Sequence, residues 1–285
     1  MSSGRGHARD PAPSPFQPIY WGWNVCDGVA SIRATPSRML LHLLHLGRLD
    51  YAAALEAQRE LATLRKQERI GDVLLLLEHP PVLTLGRNAH RENVLATAEE
   101  LAQRGIAVHE INRGGDATYH GPGQLVGYPI LDLRGEFPGK KGPHLGAVEY
   151  VRRLEEALIR SCAEYSVMTE RVAGRTGVWT QAGGSVAAKK IAAIGVHISQ
   201  GVTSHGFALN VTTDLRDFRW IVPCGIADAA VTSLEQEIDT RWTAMPTMEQ
   251  VMHTVSRNFC RIFGRQPLWM ESIRDLICPV QGVTL

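Results

Sequence analysis

The chain has 285 residues, of which 44% are hydrophobic and 21% charged, with a formal net charge of +1. That length can bury a sizeable core, in one domain with extensions or in two small domains, and the composition is ordinary for a soluble globular protein. The near-neutral charge leaves no footprint for nucleic acid, and no apolar run approaches the ~18 residues of a membrane span.

Residues 1–35 read as a mostly disordered extension, rich in proline and serine, without a signal-peptide hydrophobic region. Arg5 and Arg9 suit a transit peptide, but Asp10 and the prolines through Pro18 suit an amphipathic helix poorly. A domain is expected over 36–265, followed by a tail over 266–285. Met39–Leu46 is short and apolar and predicts a strand. Asp50 caps a helix over 51–66, with Ala54, Ala57, Leu61 and Leu64 on one stripe. Asp72–Leu77 is a continuous apolar run that predicts a buried strand, and Val82–Leu85 a second. Thr97 and Glu100 form a capping box for a helix that stops at Gly105, and Ile106–Ile111 follows as a strand.

A long helix is expected over about 146–165, with Val148, Val151, Leu154, Leu158 and Cys162 facing inward. Short strands follow near 176–180, 190–198 and 205–211, and a last helix spans 248–263. Strands and helices without regular alternation define an α+β class with a mixed sheet packed against helices.

The five cysteines are odd in number, form no CxxC pair and accompany no secretory signal. They predict free thiols in a reducing cytoplasm. Cys162 and Cys260 fall on helix stripes and read as core. Cys224 sits between Pro223 and Gly225, outside any helical pattern, where a thiol is open on one side. To act as a nucleophile it needs a base or cation beside it. His120, His197, His205 and Lys190 are the candidates. Lys189 and Lys190 open the strand that follows and point to opposite faces of it. His120, His205 and Cys224 lack any usual zinc spacing, so no metal is expected. No dinucleotide fingerprint or phosphate loop occurs.

The densest polar chemistry lies in Arg113-Gly-Gly-Asp-Ala-Thr-Tyr-His-Gly-Pro-Gly-Gln124, which has four glycines in twelve residues. Glycine lets backbone turn through positive φ and approach a ligand closely. A surface hairpin is the plain alternative.

That segment, together with Lys190-Ile-Ala-Ala-Ile-Gly195, His205-Gly-Phe-Ala-Leu-Asn210 and Pro223-Cys-Gly225, in this order, resembles the octanoyltransferases of lipoate biosynthesis. Leu76–Arg87, Gly174–Trp179 and Tyr128–Asp132 add to the likeness, which spans roughly residues 45–240. The resemblance implies the fold of the catalytic domain of biotin and lipoate protein ligases. It implies transfer of an octanoyl (or lipoyl) group from octanoyl acyl carrier protein to a lysine of a lipoyl domain. The acceptors would be the lipoyl domains of 2-oxoacid dehydrogenases and the glycine cleavage H protein.

By the same resemblance Cys224 carries the acyl group as a thioester and Lys190 is its proton partner. The acyl-binding positions would be Arg113, Gly114, Gly115, Asp116, Ala117, Thr118, Tyr119, His120, Ala193, Ile194, Gly195, Gly206, Phe207 and Ala208. Val126, Ile194, Phe207 and Leu209 are expected to wall an apolar tunnel. Burying a seven-carbon tail there would contribute about 5 kcal/mol, at ~0.8 kcal/mol per methylene. His120 is expected to shape and polarise the pocket. The donor is already a thioester, so no ATP or other cofactor is required. A monomer is expected. The rival readings are an ATP-dependent lipoate or biotin ligase, which has no need of Cys224, and a silent acyl-binding scaffold, which has no need of any thiol there.

Overall fold

The computed structural model describes residues 40–142, 144–182, 187–222 and 230–277. The extension over 1–35 and Cys224 lie outside the described residues.

In chain order the elements are β1 (Leu40–Arg48), α1 (Tyr51–Lys66), β2 (Asp72–Glu78), β3 (Val82–Leu85), α2 (Ala98–Gln103), β4 (Ala107–Glu110), β5 (Ala117–His120) and β6 (Gln124–Ile130). Then come α3 (Ala147–Ala163), β7 (Thr169–Val172), β8 (Arg175–Thr180), β9 (Lys190–Ser199), β10 (Val202–Asn210), α4 (Leu234–Glu237), α5 (Met248–Phe263), β11 (Gln266–Met270) and α6 (Ile273–Ile277). Eight strands form one mixed sheet in the order β11-β1-β2-β6-β10-β9-β8-β7, and three form a small sheet in the order β4-β3-β5. The fold is α+β.

The helix signals act as local chemistry says they should. The Asp50 carboxylate accepts from the N–H groups of Ala52 and Ala53 at the start of α1. Thr97 and Glu100 close their capping box reciprocally, and α5 opens on a second box from Thr247 and Gln250. β2 is apolar from Val73 to Leu77 because both faces of the sheet are covered there. Its Leu74 and Leu76 pack under α3 and α5, whereas Val73, Leu75 and Leu77 pack under α1.

Three expectations are corrected. Val148 does not face inward: it is 75% exposed, and Val151 is half-buried. Tyr150 takes the core position in the first turn of α3, with its ring 5.8 Å from that of Phe263. Two residues on an α-helix are separated by about 200°, so burying Tyr150 turns Val148 to solvent. The helix over 248–263 is not the last one, because α6 follows it. Finally, residues 266–277 are part of the fold. β11 pairs in parallel with β1 from Leu40↔Gln266 to Leu44↔Met270, and Ile273 and Leu276 of α6 are buried.

Candidate active site

Four glycines let the elements of the site approach one another. Gly206 and Gly127 are neighbours across β10 and β6. A Cβ on Gly206 would lie 2.1 Å from the Gly127 carbonyl oxygen, and one on Gly127 would lie 2.2 Å from the Phe207 ring. Gly86 and Gly195 make room for Arg113, since a Cβ on either would stand 2.8 to 3.0 Å from its side chain. The Arg113 guanidinium is thereby buried, donating to the Thr84 carbonyl at 2.7 Å, to Thr84 Oγ1 at 3.0 Å and to the Gly114 carbonyl at 3.0 Å. Gly114 N–H donates to the Val196 carbonyl at 2.9 Å, which ties the glycine-rich segment to β9.

The segment is not loop throughout. Ala117–His120 form β5, antiparallel to β3, with Thr118 opposite Thr84. Strand alternation then sorts its side chains. His120 faces a cavity. Tyr119 faces the other way, donating its hydroxyl proton to Asp217 at 2.8 Å and packing edge-on against Phe218.

The cavity has a volume of about 270 Å³. It collects Arg113, Gly115, Asp116, Ala117, Thr118 and His120 from the glycine-rich segment, Lys190, Ala193, Ile194 and Gly195 from β9, and Gly206, Phe207 and Ala208 from β10. Gly114 and Tyr119 do not line it. Of the expected tunnel walls, Ile194 and Phe207 line it, while Val126 and Leu209 belong to the two cores that flank the sheet.

Hydrogen bonds run from the glycine-rich segment to Lys190. His120 Nδ1–H donates to Gln124 Oε1 at 2.7 Å, Gln124 Nε2 donates to Asn210 Oδ1 at 3.0 Å, and Asn210 Nδ2 donates to the Thr232 carbonyl at 2.8 Å. Thr232 N–H donates to the Lys190 carbonyl at 2.9 Å, and Lys190 N–H to that of Ala230 at 2.8 Å. The Lys190 backbone is therefore tied on both sides to the segment Ala230–Thr232. The lysine side chain is 5% exposed, with Nζ 4.7 Å from the centre of the Trp179 ring. Lys189, on the opposite face, is partly exposed and pairs with Glu237 at 3.1 Å.

Sequence reasoning assigned no role to Tyr51, Asn88, Tyr128 or Arg175, and named His205 only as a candidate base. All five line the cavity. Tyr51 stacks on His120, with ring centroids 6.2 Å apart. Behind them His79 Nδ1–H donates to the Leu49 carbonyl at 2.7 Å, and its Nε2 accepts from the Tyr128 hydroxyl at 2.7 Å. Tyr51 lies three residues before Ala54 on the buried stripe of α1, which is the signal that could have found it. His205 adopts φ +55°, its N–H donates to Gln58 Oε1 and its Nε2 bonds Asn112 Oδ1, each at 2.8 Å. His197, another of the base candidates, is half-buried and does not line the cavity.

His79, His120 and His205 are held at about 4, about 3 and about 4, in each case chiefly because burial disfavours the charged ring. They are neutral in the folded chain, whereas the unfolded chain protonates each as pH falls below about 6.5. The unfolded state then binds more protons, so the stability these rings contribute is complete above about pH 6.5 and drains away down to about pH 4 for His79 and His205 and about pH 3 for His120. The urea midpoint is expected to fall steadily from pH 7 to pH 5, with a smaller fall in a His120→Gln variant. Equal slopes in the two proteins would contradict a buried neutral His120.

The described cysteines are poor nucleophiles. Burial pushes the Cys162 thiol up to about 12 and the Cys260 thiol up to about 11.

The lipoyl protein ligase A/B catalytic-domain family matches residues 50–260. The chain belongs to that family. Its sequence relatives narrow the class to acyltransferases. An octanoyltransferase of Acidobacterium capsulatum is 66% identical over 246 residues, covering 86% of this chain and 99% of that protein. One of Koribacter versatilis is 54% identical over 238 residues, covering 84% and 90%. The chain is an octanoyltransferase of the lipoyl ligase family. In fold it is similar to a bi-partite lipoate protein ligase of Thermoplasma acidophilum, with a TM-score of 0.56 at 18% identity, covering 82% of this chain and 87% of that one.

Proposed function

We propose that the chain transfers an octanoyl group from octanoyl acyl carrier protein to a lysine of a lipoyl domain through a thioester on Cys224. The acceptors are the lipoyl domains of 2-oxoacid dehydrogenases and the glycine cleavage H protein, and the enzyme works as a cytoplasmic monomer. The observation that carries this reading is Lys190, buried at the cavity wall and bonded through its backbone to Ala230, six residues beyond Cys224.

In the first half-reaction the Cys224 sulfur attacks the octanoyl carbonyl carbon and the bond to the pantetheine sulfur breaks. Lys190 gives its proton to the departing thiolate. In the second, the acceptor amine attacks the enzyme thioester, its proton passes to Lys190, and the Cys224 sulfur leaves. Splitting one transfer into two thioester-level steps keeps each barrier modest and needs no nucleotide. The neutral histidines and the tyrosines of the cavity present polarity without charge, which suits an uncharged acyl chain. Ile194, Phe207, Ala193 and Ala208 supply apolar contact.

Incubation with octanoyl acyl carrier protein is expected to leave one octanoyl adduct, read by intact mass and mapped to Cys224. The Cys224→Ala variant should carry none. An adduct that survives in that variant, or that maps to Cys260, overturns the assignment.

A further inference from the structure

Lys190 meets Trp179 through an irregularity in the sheet. β8 and β9 pair at Val178↔Ala192, and the register then shifts so that Trp179 stands opposite Lys190 rather than Ile191. An extra residue in one strand re-aims the side chains beyond it. Directly opposed residues of antiparallel strands share a face, so the shift sets the lysine beside the indole.

The surroundings hold both partners in place. Trp179 is fully buried, and its Nε1–H donates to the Arg175 carbonyl at 3.2 Å. Gly177, at φ +121°, leaves room for the lysine stem: a Cβ there would lie 3.5 Å from Lys190 Cε and 2.6 Å from the Ala192 carbonyl oxygen. Gly177 N–H donates to Glu155 Oε1 at 3.1 Å, and the buried Glu155 carboxylate is itself held by Arg152 at 2.7 Å and Arg171 at 3.1 Å. Helix α3 thus fixes the strand over which the lysine lies.

We propose that Trp179 is a positioning residue for the transfer: its ring face holds the Lys190 ammonium in one place at the cavity wall. A lysine side chain has four rotatable bonds and loses much of its freedom when it must deliver a proton to one atom. An ammonium within ~6 Å of an indole centroid is attracted by the electron-rich face, most strongly when both are away from water. This inference rests on the role of Lys190 given above.

The test replaces Trp179 site-specifically with tryptophans bearing one, two and three ring fluorines, which drain the ring face of electron density and leave its shape nearly unchanged. Octanoyl transfer from octanoyl acyl carrier protein is measured beside acetylation of Lys190 by acetic anhydride, read by peptide mass. The expected result is a kcat that falls roughly two- to threefold with each fluorine at constant KM, with Lys190 acetylation rising in step. Fluorination should reproduce part of the loss seen in Trp179→Leu, and the series stands even if that variant does not fold. A kcat that is flat across the series overturns the proposal, as does unaltered Lys190 acetylation. A wild-type chain that transfers no octanoyl group overturns the proposed function instead, and the acetylation series then decides the Lys190–Trp179 contact alone.

Discussion

Lys190→Ala is expected to lower octanoyl transfer by about three orders of magnitude, the range for loss of a positioned acid–base group, while Lys189→Ala changes it less than about twofold. The two lysines are adjacent in sequence and alike in composition, so the contrast isolates what the fold does with each. Lys190 is buried at the cavity wall, with its backbone bonded on both sides to residues 230 and 232 and its ammonium over Trp179. Lys189 is partly exposed and engages Glu237 on the other face. An exposed pair of that kind contributes about 0–1 kcal/mol to stability and nothing to the cavity. Steady-state transfer to a lipoyl domain, with kcat and KM resolved, checks both. Equal losses in the two variants would refute the assignment of Lys190.

Asp72→Ala should be the most destabilising single substitution outside the site, by about 3–5 kcal/mol, the cost of leaving a buried charge uncompensated. The Asp72 carboxylate is buried at the start of β2. It accepts from Arg65 Nε at 2.9 Å, Arg265 Nε at 3.0 Å and the Asp132 backbone N–H at 3.1 Å. Three distant parts of the chain meet there: the end of α1, the residues after β6 and the residue after the α5 C-cap. Arg265 also stacks over Phe137, at 4.4 Å, and donates to the Glu136 carbonyl. Removing the carboxylate strands its guanidinium, which is only 2% exposed. Denaturant melts of Asp72→Ala and of the double variant Asp72→Ala/Arg265→Met will report this. The double variant should be more stable than the single one, because it removes the stranded charge along with its partner. Equal midpoints would show that the pair is not coupled.

The parts of the fold that were legible in the sequence are those decided locally. The Asp50 cap, the two-sided apolar run of β2 and the Thr97–Glu100 box each carry their own signal within a few residues. α3 was misread at its first turn because two valines and a tyrosine compete for one inward position, and only the ring of Phe263 across the bundle decides between them. β11 was invisible for a different reason. Gln266–Met270 is largely exposed and has no alternation, and it is a strand because β1 is there to pair with. At the site, contiguous motifs named the right segments but not the direction of each side chain. Tyr119 sits between two residues that line the cavity and points away from it. Tyr51 reaches the cavity from another element, and Trp179, quoted only for its motif, meets Lys190 across a register shift. The helical stripe of α1 marks Tyr51 as buried but not what it faces, and the Lys190–Trp179 contact is a tertiary fact with no local signature.

The pairing of β1 with β11 also bears on how the chain is made. The strand nearest the start of the described fold is completed by one 226 positions later, from Leu40 to Gln266. During synthesis, β1 can bond to β2 as soon as both have left the ribosome, but its other edge must wait for nearly the whole chain. Until then a row of unpaired amide groups on Leu40–Leu44 is open to any passing strand. Closing the sheet is thus among the last acts of folding, and the interval before it is when a nascent chain of this enzyme most needs protection from its neighbours.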